Sequence, residues 1–406
     1  MVLFKIKNFI QLTIFCNLVI INQKLKLYPL RIHPFYMPYR KSILVNDESK
    51  KGILMKGRNF LDKCLNITSK YIYNINYIKN RDKPKITVIV PLYNCELTIE
   101  STINSIQYQN MTDIEIILIN DFSTDNTSKI IKYYQKNDHR ITIINNHKNM
   151  GTLYSRSIGV LKAKGEYIFS LDNDDIYFDY DVIDNIYKKG KKECIDIIHF
   201  LTINIHNYTE EIIRMKNIYT YQYPDEFYLE QPELGLWMIK FNEKFLVHNN
   251  MIWDKCIKTT IYKKAVNHLG IQRYSKFLSW AEDTSINFVI FNIAFNFKYV
   301  YKYGVAHFKG KSTASTTQSV HSKIYGDIFF LDIIYDFSKN NSECKNLIVG
   351  QAVYIYHRYP FSRFINDSNY FYLKSVLNKI IRCKYLNKLN LRKIQRLFKS
   401  FFIYQS

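Results

Sequence analysis

The side chains best placed for chemistry sit at the tightest spacing in one short stretch, Leu171 to Asp175 (LDNDD). An apolar run, Tyr167 to Leu171 (YIFSL), stops there in three acids, and only Asn173 separates Asp172 from Asp174. Alternate residues of an extended chain point to the same side, so a strand ending here presents the Asp172 and Asp174 carboxylates together. Hard carboxylate oxygens in this arrangement suit Mg²⁺ or Mn²⁺, usually shared with the phosphates of a bound nucleotide. Like charges this close repel, and without a cation they need strong hydrogen-bonding compensation. An isolated pair of acids one residue apart is also what a surface turn or a helix N-cap looks like, so the surrounding elements have to decide.

Those elements form a regular series. Ile86 to Asn94 (ITVIVPLYN) is an apolar, β-branched run closed by proline, which reads as a buried strand. Glu96 to Gln109 carries Leu97, Ile99, Ile103 and Ile106 at helical spacing. Ile114 to Asp121 is a second apolar run with an acid at its end. Ser123 to Lys136 opens with cap-forming residues and continues as an amphipathic helix. Ile141 to Asn145 is a third strand, Asn149 to Gly165 a helix bounded by glycines, and Glu166 to Asp175 the fourth strand with its acidic end. Strands alternating with helices predict an α/β fold, a doubly wound, mostly parallel sheet with flanking helices. Ligands of such sheets bind beyond the carboxyl ends of the strands. Pro91, Tyr93 and Asn94, then Asp121, then Asp172 to Asp175, all fall at those ends.

The ordered set PLYN (91–94), NDFSTDNT (120–127), NMGTLYSRSIG (149–159) and KAKGEYIFSLDNDD (162–175) resembles the nucleotide-sugar-binding half of the family 2 glycosyltransferases, which have the GT-A fold. A weaker echo comes in WDKCIKTTIY (253–262), AED (281–283) and AHFKGKSTAS (306–315). Two positions depart from the family pattern: Phe122 stands where glycine is usual and Ser157 where asparagine is common.

The resemblance implies a metal-dependent, inverting transferase that moves a sugar from a nucleotide-diphospho-sugar, a UDP-sugar foremost, to a hydroxyl of a glycan, protein or lipid. Tyr93 would stack on the base, a task suited to an aromatic face, and Asp121 would accept a hydrogen bond from the base. The guanidinium of Arg156 suits a diphosphate. Asp174 would ligate Mn²⁺ or Mg²⁺, with Asp172 on the ribose or on metal-bound water, and Glu100 would orient the nucleotide loop. The acceptor hydroxyl is a poor nucleophile and needs a carboxylate base within hydrogen-bond reach. The pair Glu282–Asp283 offers one: the resemblance makes Asp283 the base and leaves Glu282 to orient it or to bind acceptor. Trp253, Trp280 and His307 are candidates for the acceptor side. Each of these residues also has a plain structural reading as helix cap, packed aromatic or surface ion pair. A catalytically inactive sugar-nucleotide-binding or scaffold protein on the same fold is the alternative, though a scaffold has no need of the strand-end acids, Arg156 and the acidic pair together.

The chain of 406 residues, 47% hydrophobic, is long enough for more than one average domain. It divides into an N-terminal extension (1–84), a nucleotide-sugar-binding half (85–200), an acceptor half (201–310) and a helical C-terminal region (311–406). Seven scattered cysteines contain no CxxC pair and no zinc spacing, and neither a GxGxxG turn nor a P-loop is present. The net charge of +22 is spread diffusely through a chain crowded with Asn, Ile, Lys, Tyr and Phe, without an RNA-binding signature, so no nucleic-acid partner is expected. The exception is Leu386 to Phe402, a basic amphipathic helix that either contacts a membrane surface or docks on the catalytic domain. Near the N-terminus, Lys5 and Lys7 precede an apolar run at 9–21. It reads as a signal anchor to a secretory-pathway membrane (endoplasmic reticulum or Golgi), with a cytoplasmic soluble extension as the other reading.

Overall fold

The computed structural model describes residues 83–206, 226–231, 251–270, 278, 280–309, 320–338, 344–359, 368–382 and 388–398. The N-terminal extension, with the run at 9–21, lies outside the described residues.

The first four strands keep to the predicted series: β1 (Ile86–Leu92), α1 (Ile99–Gln107), β2 (Ile114–Asn120), α2 (Thr127–Asn137), β3 (Ile141–Asn145), α3 (Thr152–Lys162) and β4 (Tyr167–Ser170). They pair in parallel in the order β3-β2-β1-β4, with Val88 opposite both Ile116 and Phe169, and Leu118 opposite Ile143. All seven residues of β1 are buried, as a strand covered on both faces requires. Its side chains divide by alternation: Val88 and Val90 join Ile116 and Leu118 in one core, while Ile89 joins Ile117, Ile119 and Ile168 in the other. Each such burial contributes about 1.5–3 kcal/mol before chain entropy is subtracted. α3 lies unusually close to the sheet because position 159 is glycine. A Cβ there would stand 2.8 Å from Ile89 Cγ2 and 3.0 Å from Ile119 Cδ1.

The rest of the domain comprises β5 (Ile176–Tyr177), α4 (Val182–Glu193), β6 (Ile197–His206), β7 (Phe227–Glu230), β8 (Lys255–Lys258), α5 (Thr259–Leu269), α6 (Glu282–Ile293) and β9 (Asn296–Lys309). They extend the same sheet to β3-β2-β1-β4-β8-β6-β9-β5, with β7 paired to β9. The parallel expectation holds for the first four strands, whereas this second half is mixed. β8 runs antiparallel to both β4 and β6, and β9 runs parallel to β6 but antiparallel to β5 and β7. These reversals place functional segments. Because Phe169 pairs with Cys256, the residues just before β8 lie beyond the carboxyl end of β4. Because Ile176 pairs with Ala306, His307 comes beside Asp175.

Four helices close the described chain: α7 (Val320–Ser338), α8 (Cys344–Arg358), α9 (Ser368–Ile381) and α10 (Lys388–Leu397). They bear out the helical C-terminal region, and they share one hydrophobic core with α3, α5 and α6. Ile394 and Phe398 are fully buried in it and Phe398 meets Tyr356 edge-on at 5.4 Å. The apolar stripe of the basic C-terminal helix is therefore docked on its own chain, while Arg392 and Arg396 face outward. Among the described residues no helix is long and apolar enough to cross a membrane.

Candidate active site

At the end of β1, Tyr93 is 47% exposed and free to offer a ring face. Asn94 takes a positive φ of 46° and holds the turn open: its Oδ1 accepts from Thr124 N at 2.8 Å and its N–H donates to Ser123 Oγ at 3.1 Å. Phe122 sits in the left-handed region at φ 63°, a conformation glycine enters freely, which explains why glycine is usual there. Asp121 is buried with its carboxylate accepting from Asn146 Nδ2 (2.7 Å), Met150 N (2.8 Å) and Gly151 N (2.8 Å). It thereby fixes the turn that starts α3. Glu100, on α1, accepts from Tyr134 Oη of α2 at 3.1 Å, on the helical layer. Ser157 is buried in α3 and its hydroxyl has no hydrogen-bond partner.

The acidic turn after β4 is anchored from two sides. Asn173 donates through Nδ2 to the Pro91 carbonyl at 3.2 Å, and Thr102 Oγ1 reaches the Asn173 and Asp175 carbonyls at 3.0 and 2.9 Å. The neutral residue between the acids is thus a strut that ties them to β1. Asp172 remains partly exposed and pairs with Arg156 Nη2 at 3.1 Å. Asp174 has no ion pair among the described residues. Burial, then the neighbouring Asp175 and Asp172 charges, push its carboxyl up to about 7. An oxygen ligand short of positive charge is what a divalent cation satisfies, so Asp174 with Asp172 fits one. No three His, Cys, Asp or Glu side chains among the described residues form a metal group by themselves, so oxygens from a bound phosphate or water would have to complete the shell.

Asp175 is fully buried and holds His307 Nδ1 at 2.9 and 3.0 Å, and the His307 ring stacks on Trp253 with centroids 4.8 Å apart. Burial alone would lower the His307 pKa, but the Asp175 hydrogen bond and charge outweigh it and raise it.

The acidic pair meets this cluster through Arg156. Its Nη1 lies 2.7 Å from Asp283 Oδ1 while Nη2 holds Asp172, and the guanidinium is only 2% exposed. Its Nε is buried without a partner. One arginine from α3 thus joins a strand-end acid of the parallel half to the first turn of α6. Asp283 Oδ2 also accepts from Ile252 N at 3.4 Å. Burial raises the Asp283 carboxyl against the opposing pull of Arg156, and burial with the Asp283 charge raises Glu282. Behind Ile252, Asp254 and Lys255 form a buried ion pair at 2.7 Å, with His199 Nε2 3.3 Å from Asp254. Lys255 Nζ also donates to the Met251 carbonyl, which pins the segment that touches Asp283. Trp280 is turned the other way, with Nε1 donating to Asp327 Oδ1 of α7 at 3.1 Å.

The geometry therefore brings Asp172, Arg156 and Asp283 into one network and Asp174, Asp175, His307 and Trp253 into its flank. Asp121, Glu100 and Trp280 make their described contacts outside it. Sequence reasoning did not single out Asn173, Thr102, Asp254 or Lys255 as parts of the site. The one sequence signal for the Asp254–Lys255 pair was its place in WDKCIKTTIY (253–262), and its burial shows only in the fold.

A sheet of this order with acids at the carboxyl end of its fourth strand is a GT-A domain. Residues 87–255 match the model of Glycosyl transferase family 2, and that segment belongs to the family. Among curated proteins the chain is similar to the glycosyltransferase GlyG of Streptococcus pneumoniae, 31% identical over 146 residues, covering 36% of this chain and 46% of that one. It is also similar to the GalNAc(5)-diNAcBac-PP-undecaprenol beta-1,3-glucosyltransferase of Campylobacter jejuni, 39% identical over 93 residues, covering 23% and 30%. The chain thus spans less than half the length of these relatives. In fold it is similar to S. aureus TarS 1-349, crystallised with UDP-GlcNAc, with a TM-score of 0.56 and 15% identity over 78% of this chain and 89% of that one.

Proposed function

We propose that the protein is an inverting glycosyltransferase that uses a nucleotide-diphospho-sugar, a UDP-sugar foremost, to glycosylate a hydroxyl of a glycan, protein or lipid acceptor. The observation that carries this reading is the Arg156 bridge, which sets a half-buried carboxylate, Asp283, 2.7 Å from the guanidinium that also holds the strand-end Asp172 at 3.1 Å. In family 2 enzymes the donor lies against those acids, so a base on the opposite side of the cleft addresses the sugar from the face away from the diphosphate.

The Asp283 carboxylate accepts the proton of the acceptor hydroxyl as its oxygen attacks the anomeric carbon. The bond from that carbon to the diphosphate breaks, its electron pair leaves with the nucleotide, and the configuration inverts. Burial raises the Asp283 carboxyl, which makes it a stronger base than an ordinary aspartate. Arg156 favours the ionised form of Asp283 and holds it in register. Tyr93 supplies a face for the base. A divalent cation on Asp174 and Asp172 would, when bound, stabilise the negative charge gathering on the leaving diphosphate.

Two relatives favour a uridine donor and a glycan acceptor: one neighbour crystallises with UDP-GlcNAc, and another relative is named for glucosyl transfer to a lipid-linked glycan. The test is a panel of nucleotide sugars, measured by calorimetry with and without Mn²⁺. The expected result is metal-stimulated binding of UDP and at least one UDP-sugar. Failure of every nucleotide to bind would overturn the reading, and binding without release of UDP in any acceptor mixture would favour the inactive scaffold.

A further inference from the structure

The C-terminal helices touch the helix of the acidic pair in two places, where Phe288 packs edge-on against Phe330 and Phe337, and at Trp280, just before its first turn. Asp327 of α7 is 5% exposed, and both of its carboxylate oxygens are engaged. Oδ1 accepts from Trp280 Nε1 at 3.1 Å and Oδ2 accepts from Tyr359 Oη at 2.5 Å, while its backbone carbonyl accepts from Gln351 Nε2 at 3.2 Å. One residue earlier, Gly326 lets α7 press against the Trp280 backbone: a Cβ there would stand 2.1 Å from the Trp280 carbonyl oxygen. Trp280 is therefore gripped at the ring nitrogen and at the main chain together.

The grip matters because Trp280 leads directly into the acidic pair. Ala281 takes φ 59°, a left-handed conformation that an alanine keeps only where its surroundings impose it. α6 begins there without a capping side chain, so nothing local sets the direction in which it leaves the turn. Its first two residues are Glu282 and Asp283. The core around Asp327 is apolar, with Ile324, Ile328 and Leu331 fully buried, so a carboxylate there costs free energy that a leucine would not. Its hydrogen bonds to Trp280 and Tyr359 are what that cost supports.

We propose that Asp327 is a positioning residue: with Gly326 and Tyr359 it clamps Trp280, and through the Ala281 turn it fixes how Glu282 and Asp283 enter the cleft. The C-terminal helices are then part of the transfer apparatus and not an appended bundle. The proposal rests on the reading of Asp283 as base.

The test compares Trp280→Phe, which keeps the ring and loses the N–H, with Asp327→Leu and Asp327→Asn in the full chain. Three quantities are read: affinity for Mn²⁺ with UDP, amide hydrogen exchange at 282–286, and UDP release from UDP-GlcNAc as a function of pH. Expected for Trp280→Phe and Asp327→Leu are UDP affinity within about twofold, faster exchange in the first turn of α6 against unchanged β1 amides, and a kcat fall of about 10–100-fold at constant KM. The acidic limb of the pH profile should move as Asp283 leaves its setting. Asp327→Asn, which retains an oxygen for Trp280 Nε1, should recover most of the loss. Should Asp327→Leu fail to fold, Trp280→Phe carries the test. Unchanged exchange and kcat in Trp280→Phe overturn the clamp, and so does faster exchange with kcat and pH profile untouched. If the wild-type chain binds UDP but releases none from UDP-GlcNAc or any other UDP-sugar, the reading of Asp283 falls, and exchange alone decides whether the grip on α6 exists.

Discussion

Aspartates of the two halves of the sheet live in opposite circumstances. In the parallel half, Asp121 spends its carboxylate on two backbone amides and the Asn146 side chain, and the turn it closes is fixed by those bonds. At the start of α6, Glu282 and Asp283 lie half-buried next to each other in sequence with Arg156 beside Asp283, and both carboxyls are raised. Asp174 stands between these cases, on the parallel half but without an ion pair, at about 7. The contrast shows that an acid saturated with amides shapes a site, whereas an acid short of partners is left to act on what enters it. Position at a strand end does not separate the two; the supply of donors does.

The largest effect should come from breaking the unsaturated side. Asp283→Asn keeps shape and much of the hydrogen bonding but cannot take a proton, so turnover should fall by about 10²–10⁴-fold. UDP affinity should stay close to wild type, because the residues proposed to hold the nucleotide lie in the parallel half. Kinetics and calorimetry on the same preparation check both, and near-normal turnover would place the base elsewhere.

Arg156 is the one group shared by the two halves, and its removal should blur the contrast between them. Arg156→Gln leaves the partly exposed Asp172 and Asp283 without their cation, a loss of about 1.5–3 kcal/mol, the scale of a hydrogen bond to a charged group. The sign of the pH dependence is set by the orphaned Asp283 carboxyl. Burial already raises it against the pull of Arg156, and without that pull its folded value rises further above the unfolded one, so it favours the folded state at low pH and this advantage is lost as pH rises through the folded value. The deficit in melting temperature against wild type should therefore be smaller at pH 5 than at pH 8. Any residual activity should have its acidic limb shifted to higher pH. A deficit independent of pH would mean that Arg156 acts by packing alone.

Asp174→Asn should give a smaller effect, confined to the metal. Stimulation of UDP binding by Mn²⁺ should disappear, while the apo protein melts at the same temperature or higher because repulsion from Asp172 and Asp175 is relieved. Titration of UDP with and without Mn²⁺ decides it, and unchanged metal stimulation would remove Asp174 from the ligand set.

The same contrast explains what the sequence could and could not reveal. Periodicity is a local property, so the four parallel strands and their acidic ends were legible from Ile86 to Asp175. The positions of Tyr93, Asp121, Asp172 and Asp174 at strand ends come from that register alone. The Arg156–Asp283 contact joins residues 127 positions apart, and it depends on β8 entering the sheet antiparallel, a reversal that no local pattern announces. Asp175 stood among the strand-end acids in the sequence, but the short β5 pairing with β9 turns it to His307 instead. Trp280 looked like part of the acceptor wall because it precedes the acidic pair. Its ring nitrogen is bound by Asp327, a residue whose helix lies beyond any spacing rule.

The smallest effect is expected farthest from both halves, on α10. Read as a lone helix, Leu386 to Phe402 has the apolar stripe and basic face of a membrane-surface element. In the fold the stripe is already used, with Ile394 and Phe398 at zero exposure, and only a cationic face that includes Arg392 and Arg396 looks outward. Attraction to an anionic bilayer would then be purely electrostatic, about 1 kcal/mol for each cation near the surface, and screened by salt. Replacing Arg392 and Arg396 by glutamine should weaken binding to phosphatidylserine vesicles roughly tenfold or more at low salt, the sum of two such terms. Wild-type binding should vanish at high ionic strength, and UDP affinity should not move. Vesicle binding that survives high salt would require an apolar face in the lipid. α10 would then have to leave its place against α8 and α9, taking Phe398 away from Tyr356. Loss of the Phe398 contact on adding vesicles, read as faster exchange at the amides of 388–398, would be the sign of that release.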